Sequence, residues 1–487
     1  MNNTNTNQSV KKSVGFDEDA DVYDGGVVVL RGVKKHVGFY KKLVNTISSH
    51  DVLSQLVAPT KIHTEIPSKL KKYKLILIQT KIAPLIYPHE WPTVIFKQTA
   101  QLQLQLFKNL IPLGLTLKDS HPWNWAPINS QPKLFDFTSI TSHKINNQQK
   151  FWSLLRINNW QKTLYSIEKA NFYKNYTSMY RPFFLYPLLL MQQRQETKAR
   201  QLLWDRALNA SDKTITLYEV YPNITFTKIA HIFYEHFKSL ILALPFGIQL
   251  FIYLTQLQIK NCDVESQNSG YVTYYKNKAE DYDLDNSSQW KSKQKNIAKI
   301  LKKYKPTSVL DVGANTGWFS ELASKYANKV IGTDVDEACV NYLFKTQKDN
   351  QKITSLVLDV LDLKEDKLAN KSGDKKRVLY LGTNKRLKSD MVLALAIMHH
   401  LVIGQEKSFT QVFEIFSKLT KKVLVVEYVD LSDPVMKDTK TYFKNKKKFS
   451  AKNYNIEVVE KAGLKYFSKC KIMKSNPSTR KIFVFEK

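Results

Sequence analysis

From residue 290 onward, short apolar runs alternate with longer stretches in which apolar side chains recur every three or four positions. Ser308–Val312, Lys329–Asp334, Thr354–Asp359, Asp390–His400, Lys422–Glu427 and Ser478–Glu486 predict strands, and Trp290–Tyr304 and Trp318–Tyr326 predict helices. The order of these elements implies an open, mostly parallel α/β sheet of the Rossmann-like, doubly wound kind, with ligands bound at the carboxyl ends of its strands. Residues 26–265 predict a mainly helical α+β domain. Its most apolar stretch, Leu240–Leu254, is short for a membrane span and carries Pro245 and Gly247 at its centre, so it predicts a pair of buried core helices, with an interfacial helix as the alternative. Residues 266–289 are polar and aperiodic and predict a linker. Residues 1–25, Asn/Thr-rich and then acidic, predict a disordered tail without the apolar core of a signal peptide.

The chemistry concentrates at the first strand of the second half. Val309-Leu-Asp-Val-Gly-Ala-Asn-Thr-Gly-Trp-Phe-Ser320 reads as a buried strand, a turn relieved by Gly313 and Gly317, and the start of a helix. A second strand ends in Asp334, roughly 20 residues beyond the turn, the spacing at which a carboxylate reaches a ribose diol. The turn reads G-x-N-x-G and lacks the G-x-G-x-x-G of dinucleotide sites, so no pyrophosphate is required. With Asp311 just before it, the turn suits a cofactor that carries an amino acid and a ribose, as S-adenosylmethionine (SAM) does. Asp359 ends the third predicted strand, where an adenine amino group would lie. His399 and His400 end the fourth, near the expected methyl group, and either is suited to proton removal. Glu427 ends the fifth and would orient a histidine or bind substrate.

DVGANTGWFSELA, VIGTDVDE, NKRLKSDMVLALAIMHHLVI and VLVVEYVDLSDPVM resemble the class I SAM-dependent methyltransferases, and within them a nodulation-protein-like family with a long N-terminal extension. The resemblance continues upstream through YPHEW, LKDSHPWNW, PKLFDFTSI and YRPFFLYPLLLM, and so covers the chain from about Tyr87 onward. It implies that Asp311, Gly313, Asn315 and Gly317 form the cofactor loop, that Asp334 binds the ribose and that Asp359 meets the adenine. The Lys-rich stretch between Asp362 and Asp390 departs from the family's Pro- and Trp-containing segment and bears on the substrate.

Composition fits two soluble cores in 487 residues, with 43% apolar content. The net charge of +31 would attract nucleic acid or acidic lipid without specificity; arginine is scarce and no RNA-binding signature interrupts the lysines. Lys444–Lys448 reads as an exposed loop. Cys262, Cys339 and Cys470 are far apart and form neither a metal cluster nor a disulfide framework, which points to a reducing, cytoplasmic setting. The fourth strand lacks an Asn-Pro-Pro-aromatic signature and no cysteine is placed for attack on a pyrimidine. The expected acceptor is therefore an oxygen of a small molecule or saccharide. An RNA methyltransferase using the basic surface, and a non-catalytic scaffold or nucleic-acid-binding protein, stand as alternatives. Upstream, Asp119, Asn124 and Asp136-Phe137, after a helix at Thr99–Leu110, have the spacing of a kinase catalytic loop and its metal-binding Asp-Phe. No glycine-rich phosphate loop precedes them, so a kinase-like remnant without phosphotransfer is expected.

Overall fold

Part of the stretch expected to be a disordered tail is already sheet. In the computed structural model, β1 (Lys11–Lys12), β2 (Ala20–Asp24), β3 (Val28–Val33), β4 (Thr60–Ile62) and β5 (Ile76–Thr80) form an antiparallel sheet in the order β1-β2-β3-β5-β4. Ala20 and Tyr23 are buried, and the Tyr23 hydroxyl meets that of Tyr73 at 2.8 Å, which fixes β2 despite its acidic neighbours. The structure describes residues 11–12, 18–128, 130–143, 166–208, 215–264, 269, 271–272, 283–369, 377–438 and 451–487. Most of the expected linker and the whole Lys444–Lys448 block lie outside them.

Two units result, one of Met1–Val264 with Lys367–Tyr380, the other of Glu265–Asp366 with Leu381–Lys487. In the first, the helix Thr93–Leu110 buries Ile95, Phe96, Leu104 and Phe107. β6 (Leu115–Leu117) pairs with β9 (Ile140–Ser142), and between them β7 (Trp125–Ile128) pairs with β8 (Gln131–Leu134). Leu240–Leu254 breaks at Leu242–Phe246 into the ends of two helices, Phe226–Ile241 and Gly247–Lys260. The second buries Ile248, Phe251, Ile252 and Ile259. The first does not behave as a core helix, because most of its apolar side chains are exposed. No helix among the described residues is long and apolar enough to cross a membrane.

A contiguous second domain from 290 to 487 was expected, but the antiparallel hairpin of β13 (Lys367–Ala369) and β14 (Arg377–Tyr380) belongs to the first unit. Tyr380 explains why. Its buried ring lies 4.6 Å from both Tyr87 and Trp204, and its hydroxyl is 3.3 Å from Glu90 Oε1.

The second unit contains β10 (Ser308–Val312), β11 (Lys329–Asp334), β12 (Ile353–Val357), β15 (Ser389–Ala394), β16 (Thr420–Val429), β17 (Lys469–Lys474) and β18 (Arg480–Glu486) in the order β12-β11-β10-β15-β16-β18-β17. The first five in that order are parallel, and β18 runs antiparallel to both of its neighbours, β16 and β17. The chain leaves β10 for β11 on one side and returns to β15 on the other, so a crevice opens at the carboxyl end of β10 where the winding reverses. The helix Ser292–Tyr304 buries Ile297, Ile300 and Leu301 against this sheet, and Trp290 stacks edge-on to Trp318 with ring centres 5.6 Å apart. Two strands are shorter than their apolar runs suggested. β12 stops before Asp359, and β15 stops at Ala394, where positive φ at Ala396 turns the chain before the histidines.

Candidate active site

At the end of β10, Asp311 is buried and its Oδ2 accepts a 2.7 Å hydrogen bond from Ser320 Oγ. Burial pushes its carboxyl up to about 6, with Asp334 adding to the rise and Ser320 and Lys293 opposing it. The turn that follows has left-handed backbone at Gly313 (φ 71°), Asn315 (φ 52°) and Gly317 (φ 94°). A Cβ at Gly317 would overlap Leu343 Cδ1, so this position needs glycine both for its φ and for its closeness to the next helix.

Asp334 closes the turn from the neighbouring strand. Its Oδ2 accepts the Asn315 backbone N–H at 2.8 Å and its Oδ1 that of Asp336 at 3.0 Å. Burial raises its pKa, and these amides hold the rise in check. Asn315 also accepts the Thr316 N–H through its own Oδ1 at 2.6 Å. Asp359, two residues past β12, is exposed and accepts the Leu361 N–H at 2.9 Å.

A cavity of about 570 Å³ lies over these groups. Asp311, Gly313, Asn315, Asp334, Asp359, His399 and His400 all line it, whereas Gly317 and Glu427 do not. The two histidine rings sit 4.1 Å apart, and His400 also meets Tyr271 edge-on. His399 is 7% exposed, and its Nδ1 is buried without a hydrogen-bond partner among the described residues. Burial first, then His400 and Arg480, push its pKa down to about 3, so the ring is neutral.

Glu427 was expected beside a histidine. It is instead fully buried, with Oε2 accepting from Lys293 Nζ at 2.6 Å and Oε1 from Ser475 Oγ at 2.5 Å. The partner that reaches the cavity is Lys293, whose ammonium lies 5.1 Å from the centre of the Phe319 ring. Sequence reasoning missed Lys293, Phe319 and Arg480. Lys293 sits in a lysine-rich helix whose other cations face solvent, and only its position two residues into the helix, facing the strand ends, distinguishes it. Arg480 is held by Asp433 through Nε at 2.8 Å and Nη2 at 3.2 Å; burial would raise the Asp433 pKa, but Arg480 and Thr479 hold it at about 2.

The sheet order, the glycine turn and the paired acid at the end of β11 form one arrangement, and the FtsJ-like methyltransferase family matches residues 291–485. The C-terminal half is a class I SAM-dependent methyltransferase domain. Along 373 residues the chain is 22% identical to nodulation protein NoeA of Rhizobium meliloti (strain 1021), covering 74% of this chain and 72% of the relative. Among solved structures it is similar to magnesium protoporphyrin IX methyltransferase from Synechocystis PCC 6803 with bound SAH, at 13% identity and a TM-score of 0.27, over 40% of this chain and 83% of that one. It is also similar to the N-methyltransferase NodS from Bradyrhizobium japonicum WM9, at 10% identity and a TM-score of 0.26, over 40% of this chain and 95% of that one.

The cofactor of this methyltransferase domain is SAM, and the residues present suit it. The cavity is of ligand size, a turn of bare backbone borders it, and carboxylates from the ends of β10 and β11 face it, matching a ligand with an ammonium group and a ribose diol. No group of three or more His, Cys, Asp or Glu among the described residues is arranged to hold a metal ion.

In the first unit, the residues with kinase-like spacing have separate partners. Asn124 Nδ2 donates to the Asp119 backbone carbonyl at 3.0 Å, and Asp119 itself is exposed. Asp136 Oδ1 pairs with Arg31 Nη1 at 3.1 Å and accepts from Thr138 Oγ1 at 3.1 Å. Arg31 is buried in β3 and also donates to Gln79 and to the Phe135 carbonyl. The fold does not establish the kinase-like remnant that the spacing suggested.

Proposed function

We propose that the chain transfers the methyl group of SAM to an oxygen of a small molecule or saccharide, with Asp311, Asn315, Asp334 and Asp359 holding the cofactor and His399 receiving the acceptor's hydroxyl. Bound SAM supplies an electrophilic methyl group on a sulfonium; the chain aims the nucleophile, excludes water and accepts a proton. The observation that carries this reading is the buried Nδ1 of His399, without a partner among the described residues, in the wall of the cavity that the cofactor loop borders. A buried polar atom without a partner costs about 1–3 kcal/mol, and a hydroxyl bound beside it would remove that cost.

The neutral ring fits the role. A hydroxyl becomes strongly acidic as its oxygen gains a methyl group, so an imidazole with a depressed pKa is still basic enough to take the proton late in the step. His400, its ring tilted by 38° against that of His399 and more exposed, lies on the solvent side. Lys293, fixed by Glu427, places a cation in the wall, where it suits an acceptor rich in oxygen. No Asn-Pro-Pro-aromatic run follows β15, where the chain reads Leu395-Ala396-Ile397-Met398, and this supports oxygen over an adenine amino group.

The test is SAM turnover against a panel of hydroxylated small molecules and saccharides, with RNA and amines as comparison acceptors. His399→Asn is expected to lower kcat at least tenfold, by a rough general-base estimate, while leaving the calorimetric affinity for S-adenosylhomocysteine unchanged. Turnover on amines or RNA alone would overturn the acceptor assignment, and full kcat in His399→Asn would overturn the role of the histidine.

A further inference from the structure

The helix Phe226–Ile241 is built inside out. Phe226, Phe233 and Phe237 are 85%, 69% and 53% exposed, and Ile229, Leu240 and, past the helix end, Phe246 continue the same apolar face. Its charged residues turn inward instead. Lys238 is fully buried, its Nζ 2.6 Å from Glu235 Oε1 and 2.6 Å from the Tyr176 hydroxyl, and Lys228 is buried with its Nζ 3.7 Å from the centre of the Tyr218 ring. From Pro222 to Gln249 the exposed positions carry no Asp, Glu, Lys or Arg, in a chain that is 24% charged.

We propose that this face lies on an anionic lipid surface. The helix has 16 residues and is about 24 Å long, enough to lie along a membrane and too short to span one with polar ends. Its exposed side chains are dominated by phenylalanine and isoleucine, the composition of an interfacial helix, and the exposed Tyr218 at one end has the amphipathic ring found at headgroup level. A cation borders the hairpin tip, where the half-buried Lys169 donates its Nζ to the carbonyls of Ala243 and Leu244. Between Val220 and Asn261 the sole acidic residue is Glu235, and its charge is held by Lys238 away from the surface, so nothing on the exposed face repels an anionic headgroup. The net charge of +31 adds long-range attraction of the same sign.

The experiment is flotation of the full-length chain with phosphatidylcholine vesicles, with and without phosphatidylglycerol, beside the double variant Phe233→Glu/Phe237→Glu. Both positions are exposed, so the variant should keep the wild-type melting temperature. The expected result is binding that is stronger on phosphatidylglycerol, weakens with salt, and falls at least about tenfold in the double variant. Equal vesicle binding by wild type and variant, or no binding by wild type, overturns the proposal. A wild-type dimer in light scattering that the double variant dissolves also overturns it, by assigning the face to a second copy of the chain.

Discussion

Replacing Asp334 with asparagine separates two tasks that one carboxylate performs. Both of its oxygens accept backbone N–H groups, from Asn315 at 2.8 Å and Asp336 at 3.0 Å. Asparagine offers one acceptor and one donor, so one of those amides would face an NH2 group and lose its partner. That costs about 1–3 kcal/mol of stability, the range for a buried donor left unsatisfied. The second effect is on the cofactor. If the carboxylate also accepts from the ribose hydroxyls, loss of these charge-assisted bonds weakens binding by about 2–3 kcal/mol, or roughly 30- to 150-fold. Urea denaturation of the free protein measures the first term, and calorimetry with S-adenosylhomocysteine measures the second. Unchanged affinity together with reduced stability would show that Asp334 only braces the turn. Unchanged stability would refute the hydrogen-bond reasoning itself.

Asp311 should make cofactor binding depend on pH. Its folded pKa of about 6 lies above the ordinary carboxylate value, so ionisation in the free fold costs stability as pH rises from about 4 to about 6. A bound ammonium favours the ionised form, so affinity should weaken as pH falls through about 6 and binding there should release a proton; calorimetry in buffers of different ionisation enthalpy detects it, and a pH-independent affinity would refute the assignment. Lys293→Met should destabilise the chain by about 3–5 kcal/mol, because Glu427 is left charged and fully buried, and adding Glu427→Gln should restore most of the loss. A urea midpoint close to wild type in the single variant would show that the pair is not coupled.

The methyltransferase half was legible because its signals are local. An apolar run makes a strand, two glycines relieve a turn, and an acid at the next strand end lies beside that turn, so Asp311, Asn315, Asp334 and Asp359 could be placed before any coordinates. Glu427 and Lys293 could not be paired this way. They are 134 residues apart and meet only because the helix Ser292–Tyr304 lies across the strand ends, a tertiary fact without a periodic signature. The stretch Leu240–Leu254 misled for a related reason: its apolar run was plain, but apolarity does not say that Leu240 and Phe246 would point outward. The tail was misread because β2 owes its place to Ala20 and Tyr23, two residues in a polar setting. The spacing of Asp119, Asn124 and Asp136 was also plain in the sequence, yet spacing alone could not show that Asp136 would be claimed by Arg31 from a distant strand.

The hairpin Lys367–Tyr380 makes the order of synthesis matter. The first unit lacks the Tyr380 ring between Tyr87 and Trp204 until the ribosome has passed residue 380, more than a hundred residues beyond Val264. At about 5–20 residues per second that is a wait of roughly 6–23 seconds, during which those aromatic side chains have no permanent cover. The usual rule that an N-terminal domain is finished before its successor begins cannot hold for this chain. A gene cut at the apparent boundary would release a fragment missing a piece of its own interior, and the complementary fragment would carry that piece as an unattached arm.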